Sequence, residues 1–176
     1  ATPATDAALR ADAAISAIPG RVCVVMTADC LPVVLASTDG AIVGAAHAGW
    51  RGLAAGVVEA TLDAMRRRSS ARTTFQAWLA PAIGAANFEV GDDVRAAFLA
   101  ADPQAADAFT PNAQRRWQCD LYLLARQRLA RAGVDRISGG DHCTYAEEGR
   151  FFSHRRDVQH RGLAATGRMA TLIWRI

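Results

Sequence analysis

The chain has 176 residues, 51% of them hydrophobic and 21% charged, with a formal net charge of +3. That length and balance support one self-sufficient core and exclude a disordered or fibrous class. All 20 basic residues are Arg. With the heavy use of Ala this reads as coding bias, and it blunts any argument from basic charge to nucleic acid. The one basic triplet, Arg66-Arg67-Arg68, is expected at a helix end, where cations suit the helix dipole. No nucleic-acid partner is therefore expected. No apolar run approaches the roughly 18 residues of a membrane span, and there is no secretory pattern. The four cysteines, at 23, 30, 119 and 143, show no CxxC spacing, which excludes zinc-ribbon and thioredoxin-like readings. A cytoplasmic location with reduced thiols is expected.

In chain order, residues 6–18 predict a short helix closed by Pro19-Gly20. Residues 22–27 (VCVVMT) predict a fully buried strand, because the run is β-branched and continuously apolar. Residues 32–37 predict a second strand with Pro32 at its first position, where the missing N–H is tolerated. Asp39-Gly40 is a hairpin turn signal, and 41–47 predict the return strand. A two-residue loop at 39–40 pairs His47 with Pro32 and leaves Cys30 as the diagonal neighbour on the same face, about 7–8 Å away at Cα. A slip of one residue would put the two on opposite faces. Residues 52–67 predict one helix with a buried stripe of Leu53, Val57, Ala60, Ala64 and Met65. Strand 75–79, a loop at 81–84 and a helix ending near 101 follow, then an irregular stretch over 102–118 with one short helix. Asp120 to Ala132 is the clearest helix, with Leu121, Leu124, Ala125, Leu129 and Ala132 at 3.6-residue spacing and Gly133 beyond its end. Residues 134–138, 151–157 and 168–176 predict strands, with tight loops between. No repeat of 20–50 residues appears. The mixture without strict alternation favours an α/β or α+β fold with mixed sheets in a single domain.

Cys30 and His47 each end a strand, where functional groups concentrate. A thiol and an imidazole side by side suit two chemistries: a soft-metal site for zinc or copper, or a nucleophile with its base. Taken singly, either residue also fits a packed core position, as Cys23 and Cys119 do. His142 and Cys143 are adjacent, and adjacent residues rarely share a metal. The Gly49-Trp50-Arg51-Gly52 turn and the Arg155-Arg156-Asp157 segment are the anion-binding candidates, since two guanidiniums from separate segments can clamp a phosphate. Trp50 reads as a core residue or a stacking surface.

Thr27-Ala28-Asp29-Cys30-Leu31-Pro32-Val33, His47-Ala48-Gly49-Trp50-Arg51-Gly52-Leu53, Pro81-Ala82-Ile83-Gly84 and Phe88-Glu89-Val90-Gly91 follow in order. Asp120-Leu121, Cys143-Thr144, Phe151-Phe152-Ser153, Arg155-Arg156-Asp157 and Thr166-Gly167-Arg168-Met169-Ala170 complete the series. Together these motifs resemble the YfiH family of bacterial laccase-domain proteins, over essentially residues 1–176. Members were once called multicopper polyphenol oxidases and are now read as purine nucleoside phosphorylases. The resemblance implies mixed sheets in a four-layer α/β/β/α sandwich. It also implies phosphorolysis of adenosine, inosine, guanosine and methylthioadenosine, with some adenosine deaminase activity. The implied zinc site is made of His, Cys and His. Cys30 and His47 match the last two ligands, and the first belongs to a segment upstream of residue 1, so a shortened N-terminus is expected. Two further departures are His154, where the family commonly has Tyr, and a longer link over 159–165.

Arg51 and Arg155 are the candidates to hold phosphate, from charge and placement. Purine nucleoside and phosphate are thus the expected partners, with zinc as cofactor (copper as the alternative), and a homodimer is carried as an expectation. Three other classes compete. A metal-independent Cys/His thiol hydrolase or amidase would use Cys30 and His47 directly. A polyphenol oxidase is disfavoured, because four His without a His-x-His pair do not make a multicopper centre. A non-catalytic remnant would follow from the missing ligand.

Overall fold

A computed structural model describes residues 11–176. Its centre is a five-stranded sheet in the order β1-β4-β3-β5-β9. The strands are β1 (Ala13–Ser16), β3 (Leu31–Ser37), β4 (Val43–Ala48), β5 (Phe75–Leu79) and β9 (Arg136–Gly139). All neighbours are antiparallel except β5 and β9. Alternation along β3 sends Leu31, Val33 and Leu35 to one face, where they pack with Ala46 and Ala48 of β4. On this face lie α2 (Val57–Arg66) and α4 (Leu121–Arg131), which contribute Leu62, Met65, Leu124 and Leu129. Gly44 of β4 is small for a reason: a Cβ there would stand 3.2 Å from the Met65 sulfur.

The opposite face of β4 carries Ala45, which packs on Cys23 and Val25 of β2 (Cys23–Thr27). β2 pairs antiparallel with β10 (Met169–Ile173) in a separate two-stranded sheet. A third sheet joins β6 (Glu89–Val90), β8 (Trp117–Cys119) and β7 (Phe109–Pro111) beside α3 (Asp92–Leu99). The mixed α/β class therefore holds. Of the four layers expected, the described residues form three: helices, the five-stranded sheet and the β2/β10 sheet.

Several local expectations change. The helix read over 6–18 lies partly outside the described residues, and its second half is strand β1, held by pairing with β4. β2 is not buried throughout. Val24 and Met26 face outward, half or more exposed, because β2 and β10 cover the central sheet with one face only. The helix read over 52–67 is two, α1 (Trp50–Ala54) and α2, broken at Gly56, whose φ of 89° is left-handed. The break rotates the buried stripe of α2 onto Val58, Thr61, Leu62 and Met65. Within 102–118 there are a 3₁₀ turn at Pro103–Ala108 and the strands β7 and β8.

The strand read over 151–157 is also absent. Arg155–His160 is a wide, π-type helical segment. Its first turn is held by Ser153: the hydroxyl accepts from the Arg156 N–H at 3.1 Å and the carbonyl from the Asp157 N–H at 2.9 Å. Local side-chain capping of this kind competes with a strand ladder. The clearest helix stands as read, with the Asp120 carboxylate accepting from the Leu123 N–H and Gly133 at φ 75° past its end.

Candidate active-site cavity

The β3–β4 hairpin has the register read from its turn: Pro32 pairs with His47 and Leu31 with Ala48. Cys30 and His47 both approach Gly49. A Cβ on Gly49 would stand 2.9 Å from the Cys30 sulfur and 3.6 Å from His47 Cε1. Thiol and imidazole thus converge on one small space that only glycine leaves open. Both line a cavity of about 500 Å³, a size that suits a small-molecule ligand. His47 is tied to β1 as well. Its N–H donates to the Asp12 carbonyl at 2.7 Å, and Nδ1 lies 3.5 Å from the Asp12 carboxylate.

Two further predicted residues line the same cavity. Arg51 opens α1, stacked on the half-buried Trp50 ring with its Cζ 4.4 Å from the centroid. Trp50 is therefore a cavity wall, not a fully buried core side chain. Arg155 reaches in from the π-type segment, donating to the Glu89 carbonyl at 3.0 Å and lying 5.4 Å from the Phe88 ring. Burial pulls the Arg155 pKa down, while Asp29 and Glu89 oppose the shift. The neighbouring Arg156 and Asp157 are not part of the site. Arg156 is buried, pairs with Asp157 at 2.8 Å, and donates to the carbonyls of Thr144, Tyr145 and Phe151.

Three residues escaped the functional reading of the sequence. Arg168, just before β10, brings a third guanidinium to the cavity. His154 lines it too. Asp29, the only carboxylate among the described residues of the cavity lining, is buried and has both oxygens engaged. Nothing local marks Arg168 as functional, since only the pairing of β10 with β2 brings it beside Cys30. The thiol of Cys30 is pushed up by burial and by Asp29, with Arg168 acting in the opposite direction.

The remaining chemistry-bearing residues have structural partners. Cys23 and Cys119 are buried among core residues, and burial pushes the Cys119 thiol up to about 12. Cys143 accepts from the Gly84 N–H at 3.2 Å and from Asn87 Nδ2 at 3.3 Å. His142 faces Glu147 at 3.1 Å, and His160 faces the Tyr145 hydroxyl at 2.9 Å. Among the described residues, His142 and His160 thus have partners of their own, while His47 and His154 line the cavity. The Tyr122 hydroxyl accepts from the Ala82 N–H at 2.6 Å and donates to the His142 carbonyl at 2.8 Å, which joins the 80–84 and 139–144 loops behind the cavity.

Among the described residues, no three of His, Cys, Asp and Glu converge as a metal site. Cys30 and His47 fit zinc in donor type, being a soft thiol and an imidazole, and they supply two of the three protein ligands a catalytic site uses.

The mixed α/β fold gathers Cys30, His47 and three arginines around one cavity, a lining that suits a small anionic molecule. The chain belongs to the multi-copper polyphenol oxidoreductase laccase family, whose profile matches residues 1–176. It is 52% identical over 170 residues to the purine nucleoside phosphorylase YfiH of Escherichia coli K12, covering 97% of this chain and 66% of that protein. A prokaryotic adenosine deaminase, RL5, is 37% identical over 159 residues, covering 89% of this chain and 61% of that protein. Among solved structures, Neisseria meningitidis protein NMB0706 superposes with a TM-score of 0.84 at 47% identity, covering 94% of this chain and 64% of that one. The chain spans about two thirds of the length of the E. coli relative it matches.

Proposed function

We propose that the protein is a purine nucleoside phosphorylase that also deaminates adenosine. Its substrates on this reading are adenosine, inosine, guanosine and methylthioadenosine, with inorganic phosphate. The observation that carries the reading is the charge of the cavity: Arg51, Arg155 and Arg168 line it, and Asp29, the one carboxylate among its described lining residues, is already engaged. Such a wall favours a small anion over a neutral or cationic ligand. The names of the relatives supply the nucleoside.

In phosphorolysis a phosphate oxygen bonds to the ribose C1′ as the bond from C1′ to the purine nitrogen breaks. The electron pair leaves with the purine, which takes up a proton. The work left to the protein is to hold the dianion in line and to seat the purine. Arg51 and Arg155 hold the phosphate from opposite segments, with Arg168 as the third cation. Trp50, Phe88, Ile83 and Leu121 give the apolar wall for the ring and the sugar. Cys30 and His47 are the residues that would hold zinc, which when bound supplies Lewis acidity toward water for deamination.

Purine release from adenosine, measured with and without phosphate, tests the reading. Release should depend on phosphate. Arg155→Gln should lower kcat/KM by about 10–100-fold at limiting phosphate, as expected for loss of a charge-assisted contact. Release that ignores phosphate contradicts the reading.

One observation favours a second reading, a metal-independent thiol hydrolase. The Asp12 carboxylate, 3.5 Å from His47 Nδ1, would be the third group of a Cys–His–carboxylate set. The raised thiol of Cys30 counts against it, because the thiolate is the nucleophile. Ester or amide cleavage that is abolished by thiol alkylation and indifferent to a chelator would favour this reading over the first.

A further inference from the structure

We infer that Asp29 is the positioning residue of the cavity: from a left-handed backbone beside Cys30, its carboxylate seats the start of the Arg155 segment and so presents the Arg155 guanidinium to an anionic ligand. The inference rests on the phosphorylase reading only for the identity of that anion.

Asp29 has φ 90°, one of two non-glycine residues in the left-handed region among those described. This conformation disfavours side chains with a Cβ and persists only where the surroundings enforce it. Here three hydrogen bonds enforce it. The Asp29 carbonyl accepts from the Ile83 N–H at 2.9 Å, which fixes the bend against the 80–84 loop. Oδ1 accepts from the Thr144 hydroxyl at 2.7 Å, and Oδ2 accepts from the Arg155 backbone N–H at 2.6 Å. One buried side chain therefore joins three segments far apart in sequence: the Cys30 bend, the 143–145 loop and the π-type segment at 155–160.

The Arg155 bond matters most. This N–H lies in the first turn of a helical segment, where backbone donors lack internal partners. A carboxylate there satisfies an orphan donor with a charge-assisted bond. The same residue's guanidinium is held at its other end by the Glu89 carbonyl. With backbone and side chain both tethered, Arg155 has little freedom to leave the cavity. The bend also explains how the carboxylate reaches 126 residues along the chain while Cys30, next in sequence, still points to the Gly49 space it shares with His47.

The test uses two variants and two readouts. Asp29→Asn keeps tolerance for the left-handed backbone but can accept only one of the two bonds. Asp29→Gly relaxes the backbone and removes both. Hydrogen exchange at the Arg155 amide reports seating directly and needs no activity. Titration with inorganic phosphate and, separately, with inosine reports presentation of the guanidinium. Both variants should speed exchange at residues 154–160 by about tenfold or more while the α2 and α4 amides stay within about twofold. Both should weaken phosphate by about tenfold and inosine by less than about twofold. Unchanged exchange at Arg155 in both variants overturns the inference. So does exchange raised throughout the chain with both ligands weakened equally, the signature of a merely structural residue. If the unaltered chain binds no phosphate, the phosphorylase reading fails, and the exchange result alone decides Asp29.

Discussion

Gly49 is the residue on which the geometry of the site is most sensitive. Its φ of −61° is accessible to any L-residue, so replacement is not strained by the backbone. The obstacle is the Cys30 sulfur, 2.9 Å from where a Cβ would sit. Gly49→Ala is therefore expected to displace the thiol while leaving the fold intact. Displacements of this order at a reacting centre cost on the order of 100-fold in rate. Stability should change by no more than about 1 kcal/mol, since one loop methyl is added. Steady-state kinetics with a thermal melt check both halves, and unchanged kinetics would show that the thiol is not held where the site needs it. At this scale the sequence was informative about Cys30 and His47, because a two-residue Asp-Gly turn sets a register and a register sets a face. It was silent about Asp29 and Arg168. A left-handed Asp and an Arg before an edge strand have ordinary local contexts, and only long-range pairing gives them a role.

At the scale of elements, two departures have one cause each and each yields a prediction. Gly56 interrupts a pattern that reads as one continuous helix. A Cβ there would meet nothing closer than 3.7 Å, so the only penalty for Gly56→Ala is the φ of 89°. That penalty is roughly 1–2 kcal/mol. For a chain of this size it corresponds to a fall in Tm of about 2–8 °C by thermal denaturation. The second departure is the helical segment 155–160 in place of a strand, with Asp157 buried at its start. The Thr166 hydroxyl at 2.6 Å, then Arg156 and the Ser153 N–H, hold its carboxyl below the ordinary range against the opposing effect of burial. A depressed pKa in the folded state means stability that is present above the unfolded carboxyl range and is lost as pH falls through the folded value. Asp157→Asn should therefore destabilise the protein at neutral pH and flatten the acid limb of the stability curve, measured by denaturant titration from pH 7 downward. An acid limb identical to that of the unaltered chain would show that Asp157 does not drive it. Periodicity could not find this segment, because Ser153, Thr144 and Thr166 build it from hydrogen bonds, not from an apolar stripe.

At the scale of the whole molecule, the fold is a stack in which the central sheet carries helices on one face and the β2/β10 sheet on the other. The mixed α/β class was legible because strand and helix periods alternate irregularly along the chain. The exposure of β2 was not, since Val24 and Met26 look identical in type to the buried Val25 and Cys23. This stacking is what brings the site together: the bend before β3 supplies Cys30, β4 supplies His47, α1 supplies Arg51, the 155–160 segment supplies Arg155, and the pairing of β10 with β2 brings in Arg168. No helix among the described residues is long and apolar enough to cross a membrane. The central claim is that this convergence holds a phosphate against a nucleoside. Phosphorus NMR of the chain incubated with adenosine and inorganic phosphate addresses it most directly. The account predicts conversion of the phosphate signal to a sugar phosphate ester as adenine appears. Adenine with free ribose and an unchanged phosphate signal would contradict it.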